Sequence, residues 1–290
     1  MNPKDIEIIQ SRTVKVLTAG QILGGFGLGS VLSIGALMAE QLSGSAAWSG
    51  SAATFSTLGA AVSAIPMARM ANKLGRRKSL ATGAAIAITG ASLIIVAGYT
   101  QFFPILLVAL FMLGAGSATS LQARFAATDL PTNRSTGRDL SVVVWAATVG
   151  AVAGPNLFGP GEALGHYLHM PAYTGPFLFT IVAQFLSATI FWIGLRPDPL
   201  LLAKEITKSD DLGIKPKASF KSAIAVLRTN RMAAYSVFSI ALSHMIMVSV
   251  MSMTPVHLRS HGATLVLVGF TVSLHIAGMY AFSPIFGWLA

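Results

Sequence analysis

The chain has 290 residues, of which 53% are hydrophobic and only 10% charged, with a formal net charge of +10. A soluble domain averages about 25% charged residues, so a water-exposed fold of this size lacks the polarity to cover itself. Long apolar runs and a mean hydropathy of +0.68 point to a membrane protein, and the absence of cysteine excludes disulfides and thiolate metal sites.

The opening stretch "MNPKDIEIIQSRTVK" is polar and charged. It lacks the apolar core and small-residue cleavage site of a signal peptide, so the first span is expected to remain in the mature protein. A bilayer core about 30 Å thick needs roughly 20 apolar residues per helix. Backbone groups in lipid must pair internally, which runs of this length achieve as helices. Eight spans are expected, at about 16–38, 47–70, 79–99, 102–127, 140–160, 175–195, 233–256 and 266–290. The fold class is all-α, a polytopic membrane helix bundle. A six-span half-domain covers 1–195, a linker 196–232, and the first two spans of a second half-domain 233–290.

The cations orient it. Lys4, Arg12 and Lys15 precede span one, and Arg69, Lys73, Arg76, Arg77 and Lys78 surround the turn between spans two and three. Arg124, Arg134 and Arg138 lie around the next turn on that side. Arg196, Lys204, Lys208, Lys215, Lys217, Lys221, Arg228 and Arg231 follow in the link. Of the 20 Lys and Arg, only Arg259 falls opposite. The positive-inside rule makes the crowded side cytoplasmic, which puts the N-terminus in the cytoplasm of a multi-pass protein of the cell membrane. It also explains the charge without nucleic acid as a partner. In the link, "SFKSAIAVLRTNR" suits a short amphipathic helix, either on the inner membrane surface or in a solvated linker.

Adding 219 to positions in span two aligns it with span eight: Gly50 with Gly269, Gly59 with Gly278 and Ala68 with Gly287. Internal repeats mark secondary transporters. The second unit stops inside an apolar helix at Ala290. The chain therefore reads as a fragment or truncated form of a twelve-span protein, with a natural eight-span protein as the alternative.

"ARMANKLGRRKSL" (68–80) resembles the loop signature of the major facilitator superfamily, G-x-L-a-D-r-x-G-R-k-x-x-l. Gly75, Arg76 and Lys78 match its core, Lys73 takes the first basic position, and Ala68 and Asn72 replace the leading glycine and the aspartate. The terminal "GWLA" is similar to the start of the same signature in the second half. "GAVAGPNLFGP" (150–160) resembles the family's antiporter motif G-x-x-x-G-P-x-x-G-G at Gly150, Gly154 and Pro155. "DLPTNRSTGR" (129–138) is similar to the loop after span four. Leu110 in "LFMLGAG" stands where the family's proton-coupled drug antiporters often carry an arginine.

The resemblance implies a gating role for Asn72, Gly75, Arg76, Lys78, Asp129 and Arg138, closing the cytoplasmic side. Glycine tolerates the positive φ of a tight turn, and Arg76 can donate two parallel hydrogen bonds to a carboxylate, for which Asp129 is the candidate. The alternative is that these cations only set topology. Gly150 and Gly154 share a helical face and permit close approach, and Pro155 can bend its helix. They form either a seal between half-domains or ordinary packing. Gly20, Gly24, Gly25 and Gly29 in span one read as packing.

Ionisable groups inside spans are costly and point to function. His244 and His275 fall near mid-span, and an imidazole exchanges protons in the physiological pH range. They are candidates for proton coupling or for hydrogen bonds to neighbouring helices. Gln21, Gln122 and Gln184 are candidates for substrate contact or for bridging helices. Met245, Met247, Met251 and Met253 suit an adaptable cavity or lipid-facing packing. Neither a nucleophile–base cluster nor a metal-ligand spacing is present, and no phosphate-binding G-x-x-x-x-G-K-[ST] stretch occurs. An enzyme, a cofactor and ATP-driven transport are therefore not expected. The expected function is secondary transport of a small molecule by alternating access, with proton-linked export as the mode. Uptake by symport or facilitation is the alternative, and a truncated non-transporting membrane protein is the alternative of another class.

Overall fold

A computed structural model describes residues 3–130, 136–209 and 220–285, with side chains there except at 3, 27–33, 208, 209 and 220–223. Helix α1 runs Pro3–Ser43, α2 Ser51–Leu74, α3 Arg76–Thr100, α4 Phe103–Ala126 and α5 Thr136–Asn156. They are followed by α6 Phe158–Tyr167, α7 Pro176–Gly194, α8 Pro199–Ser209, α9 Phe220–Thr229, α10 Arg231–Ser260 and α11 Leu265–Tyr280.

Local chemistry places the ends. Pro104 lies in the first turn of α4, where a missing N–H costs nothing. Asn230 accepts the Ala233 N–H at 3.1 Å and starts α10, and Thr264 accepts the Leu267 N–H at 3.3 Å and starts α11. Side-chain oxygens there satisfy donors that the helix leaves unpaired.

Six of the described helical stretches are long and apolar enough to cross a membrane, and the pair α5 and α6 makes a seventh. The first expected span, 16–38, lies within α1, whose 41 residues include a polar first third. The fifth expected span is broken: α5 and α6 meet at a 50° bend two residues after Pro155. The start of the linker forms α8. The amphipathic segment expected nearby forms α9.

Helices α1, α3, α4, α5 and α7 pack as one bundle, α2 lies on α4, and α11 lies on α5. Lipid offers no hydrophobic drive between helices, so small residues and close backbone approach hold such bundles. A Cβ on Gly59 would overlap the Phe111 carbonyl, and one on Gly114 would overlap the Ser56 carbonyl. These two glycines let α2 and α4 touch. One apolar cluster gathers Ile34, Met38, Ile94, Leu106, Leu110 and Phe177. A second, toward the basic side, gathers Leu17, Leu80, Ala123, Val143, Phe191 and Leu195.

The glycines of the repeat do not share surroundings. Gly59 is pressed on α4 and Gly269 on α5, whereas Gly50 and Gly278 have open space around them. Gly287 and the "GWLA" stretch lie outside the described residues.

Candidate functional site

The turn between α2 and α3 is organised by Gly75. Its φ of 91° and ψ of 165° fall in a region essentially reserved for glycine. A Cβ there would also strike the Asp198 carboxylate.

Asp198 stands just before α8. Its Oδ1 accepts the Leu200 and Leu201 N–H groups at 3.1 and 3.2 Å, and its Oδ2 accepts the Arg77 N–H at 2.8 Å. One carboxylate thereby closes two helix N-termini, where free donors and the helix dipole both favour negative charge. Lys204 Nζ donates to the Asn72 carbonyl oxygen at 2.5 Å, tying α8 to the end of α2. The aspartate absent at Asn72 leaves no deficit of negative charge at this turn, because Asp198 supplies a carboxylate from the start of α8.

Arg76 points the other way, to the end of α4. Its Nε donates to Asp129 Oδ2 at 2.7 Å, Nη2 to Asp129 Oδ1 at 3.0 Å and Nη1 to Gln122 Oε1 at 2.5 Å. The two charged side chains are 11% and 10% exposed. This is a forked, charge-assisted contact with little water around it. Behind it lies a cavity of about 290 Å³, lined by Ala68, Asn72, Leu121, Gln122 and Leu200. The Arg77 guanidinium instead lies 5.0 Å from the Trp192 ring centroid. Lys78 is half-buried. Arg138 is exposed at the start of α5, and its carbonyl accepts from Ser141 Oγ at 2.8 Å. Residues 131–135, including Arg134, lie outside the described residues.

Gln10 was not singled out in the sequence. Its Nε2 donates to Asp139 Oδ2 and to the Ala127 carbonyl, both at 2.7 Å. Asp139, 7% exposed, is thus held between α1 and α5. The signals for the overlooked acids are local: Asp139 follows Gly137-Arg138 at a helix start, and Asp198 precedes Pro199, the pattern of a cap followed by a first-turn proline.

The glycine–proline motif works on two sides. A Cβ on Gly150 would overlap the Ile22 carbonyl, and one on Gly154 would crowd the Phe26 backbone. The glycine pair therefore packs α5 on α1. Helix α11 meets α5 next to it, where a Cβ on Gly269 would overlap the Pro155 carbonyl. Asn156 Nδ2 donates to Ser273 Oγ at 2.9 Å and to the Val152 carbonyl at 2.8 Å. Ser273 Oγ also donates to that carbonyl, at 2.6 Å. The seam with α11 thus belongs to Val152, Pro155 and Asn156, not to the two glycines.

The three amides bridge helices. Gln21 Nε2 donates to the Ser120 carbonyl and hydroxyl, both at 3.1 Å. Gln184 Nε2 donates to the Gly24 carbonyl at 3.3 Å, and Gln122 receives Arg76. His244 lines a cleft of about 990 Å³ between α2 and α10, with Thr54, Phe55, Leu58 and Ser249. His275 is exposed on α11, and the two histidines share neither a ring contact nor a hydrogen bond. Leu110, at the position where an arginine was sought, is fully buried and packs on Gly35. Among the described residues no three His, Asp or Glu are grouped to hold a metal.

The bundle, its charged turn and its glycine–proline seam define a multi-pass helical membrane protein. The sequence profile of the Major Facilitator Superfamily matches residues 17–290, and the chain belongs to that superfamily. It is 34% identical over 295 residues to the MFS-type transporter YdeG of Bacillus subtilis strain 168, and 35% identical over 296 residues to YddS of the same organism. Each alignment covers 99% of this chain and 66% of the relative, so the chain spans about two thirds of those proteins' length. The human organic anion transporter MFSD10 superposes with a TM-score of 0.64 at 15% identity, over 96% of this chain and 72% of that one. That likeness is one of fold.

Proposed function

We propose that the chain serves secondary transport of a small molecule by alternating access, in the cell membrane and with its N-terminus in the cytoplasm. Export in exchange for protons is the mode. The observation that carries this reading is the forked Arg76–Asp129 contact, joined by Gln122, which binds the start of α3 to the end of α4 on the basic side. A contact with so little exposed surface serves as a closure on that side and must separate for a solute to pass. Asn72, Gly75, Lys78 and Arg138 shape and charge the surrounding turns. Gly150, Gly154 and Pro155 support export, because they resemble the family's antiporter motif: the glycines bring α5 onto α1, and Pro155 stands at the bend and against α11. His244, beside the large cleft, is the candidate proton carrier, with His275 second. Gln21 and Gln184 reach a solute only by exchanging their interhelical bonds.

The test uses inside-out membrane vesicles energised to an acidic interior, with acridine orange reporting the gradient. A panel of lipophilic cations and carboxylates is added in turn. A substrate collapses the gradient in vesicles carrying the protein and not in empty ones. His244→Asn abolishes that collapse while downhill flux continues. Flux that ignores the gradient removes proton exchange from the proposal, and no flux for any probe removes transport.

A further inference from the structure

At the end of the bundle opposite the Arg76 contact, α1, the α6–α7 turn and the last turn of α10 enclose a cavity of about 340 Å³. Leu37 and Val256 give it an apolar wall, and both belong to the main apolar cluster. The charged residues of its lining are Glu40 on α1 and Arg259 on α10. No hydrogen bond or ion pair joins these two side chains. Arg259 is anchored instead by its Nη1, which donates to the Ala263 carbonyl at 2.8 Å and leaves its other donors free for a solute. The neighbouring acid, Glu162, is engaged: both of its oxygens accept the Tyr173 N–H at 3.0 Å. Tyr173 lines the cavity with a backbone φ of 66°. That conformation is rare for a bulky residue, and backbone strain of this kind clusters at ligand sites.

We infer that this cavity binds a small free zwitterion, its ammonium on Glu40 and its carboxylate on Arg259. Two unlike charges that line one void without pairing are complementary to a solute carrying both. The planar guanidinium takes a carboxylate in a fork, and Leu37 and Val256 receive an apolar side chain. Ligand pockets begin at about 300 Å³, so the fit is to a molecule of amino-acid size. The cavity shares no lining residue with the His244 cleft, and neither the site nor its test rests on the transport reading above.

The experiment is equilibrium binding of radiolabelled L-leucine to the purified 290-residue chain in phosphatidylglycerol nanodiscs. Saturable binding is expected. Leucine amide and 4-methylpentanoate, which each keep one of the two charges, compete at least tenfold more weakly than leucine. Glu40→Gln and Arg259→Gln each weaken leucine binding at least tenfold. Glu40→Gln also removes the advantage of leucine over 4-methylpentanoate, and Arg259→Gln its advantage over leucine amide. Exchanging the charges, Glu40→Arg with Arg259→Glu, restores part of the binding. Arg228→Gln, on α9, leaves it unchanged. No saturable binding by a folded parent chain would overturn the proposal. So would equal affinity for leucine and its singly charged analogues, or binding that survives both single variants. A lower melting temperature in each single variant, recovered when both are combined and with no leucine bound, would make the two charges a latch between α1 and α10 and overturn the site. Loss of leucine binding when phosphatidylethanolamine is added would assign the cavity to a zwitterionic lipid headgroup and overturn the free solute.

Discussion

At the scale of single residues, neighbours in the sequence do unlike work. Arg76 and Arg77 are adjacent, yet one grips Asp129 and the other lies over Trp192. Removing Arg76 strands a nearly buried carboxylate, a loss on the order of 3 kcal/mol, whereas Arg77→Ala keeps the backbone N–H that binds Asp198. Arg76→Ala is expected to cut transport at least tenfold and Arg77→Ala less than twofold, at equal expression. The cysteine-free chain allows a second readout: maleimide labelling of Ala68→Cys rises in the Arg76→Ala background and not with Arg77→Ala. Equal effects would leave topology as the sole role of the cations. Gly75→Ala faces both backbone strain of about 1–3 kcal/mol and the Asp198 oxygens. Its melting temperature should drop by several degrees, and adding Asp198→Ala should recover only part of the loss. The Arg76–Asp129 pairing was legible in the sequence, because a guanidinium can take a carboxylate in a fork and Asp129 stands at the end of span four on the same side. Asp198 was not, since 121 residues separate it from the N–H it binds.

At the scale of helices, the bundle depends on where Cβ atoms are missing. Gly59→Ala and Gly114→Ala each drive a methyl into a carbonyl of the facing helix, and overpacking of this kind costs about 1–3 kcal/mol. Thermal unfolding followed by circular dichroism should show both lowered by several degrees. Gly278→Ala should be neutral or slightly stabilising, because it has open space and alanine favours a helix. Similar gains at all three positions would mean that propensity, not contact, governs these helices. Helix existence was readable from apolar run length, since lipid leaves the backbone no other partner. The break after Asn156 was not. Pro155 announces a bend but not its 50° size, and nothing in span five identifies Ser273 as a partner. The three glutamines show the same limit: their chemistry was plain, while their partners are set by which helices meet.

At the scale of the whole molecule, α11 touches the rest of the bundle in two unlike ways. Near its start, Gly269 and Ser273 are fastened to α5 by close approach and hydrogen bonds. Toward its end, Val272, Ile276 and Tyr280 join an apolar cluster with Ala151 and Met251, and the Tyr280 ring lies over the Arg124 guanidinium. The seven residues from Ser273 to Tyr280 make an arm of roughly 10 Å. A tilt of about 15°, the size of known rigid-body transitions, would carry the far end through some 3 Å while the fastened end stayed put. In such a tilt the serine–asparagine–carbonyl cluster would be the fulcrum, and the apolar contacts of Ile276 and Tyr280 would be the ones to slide.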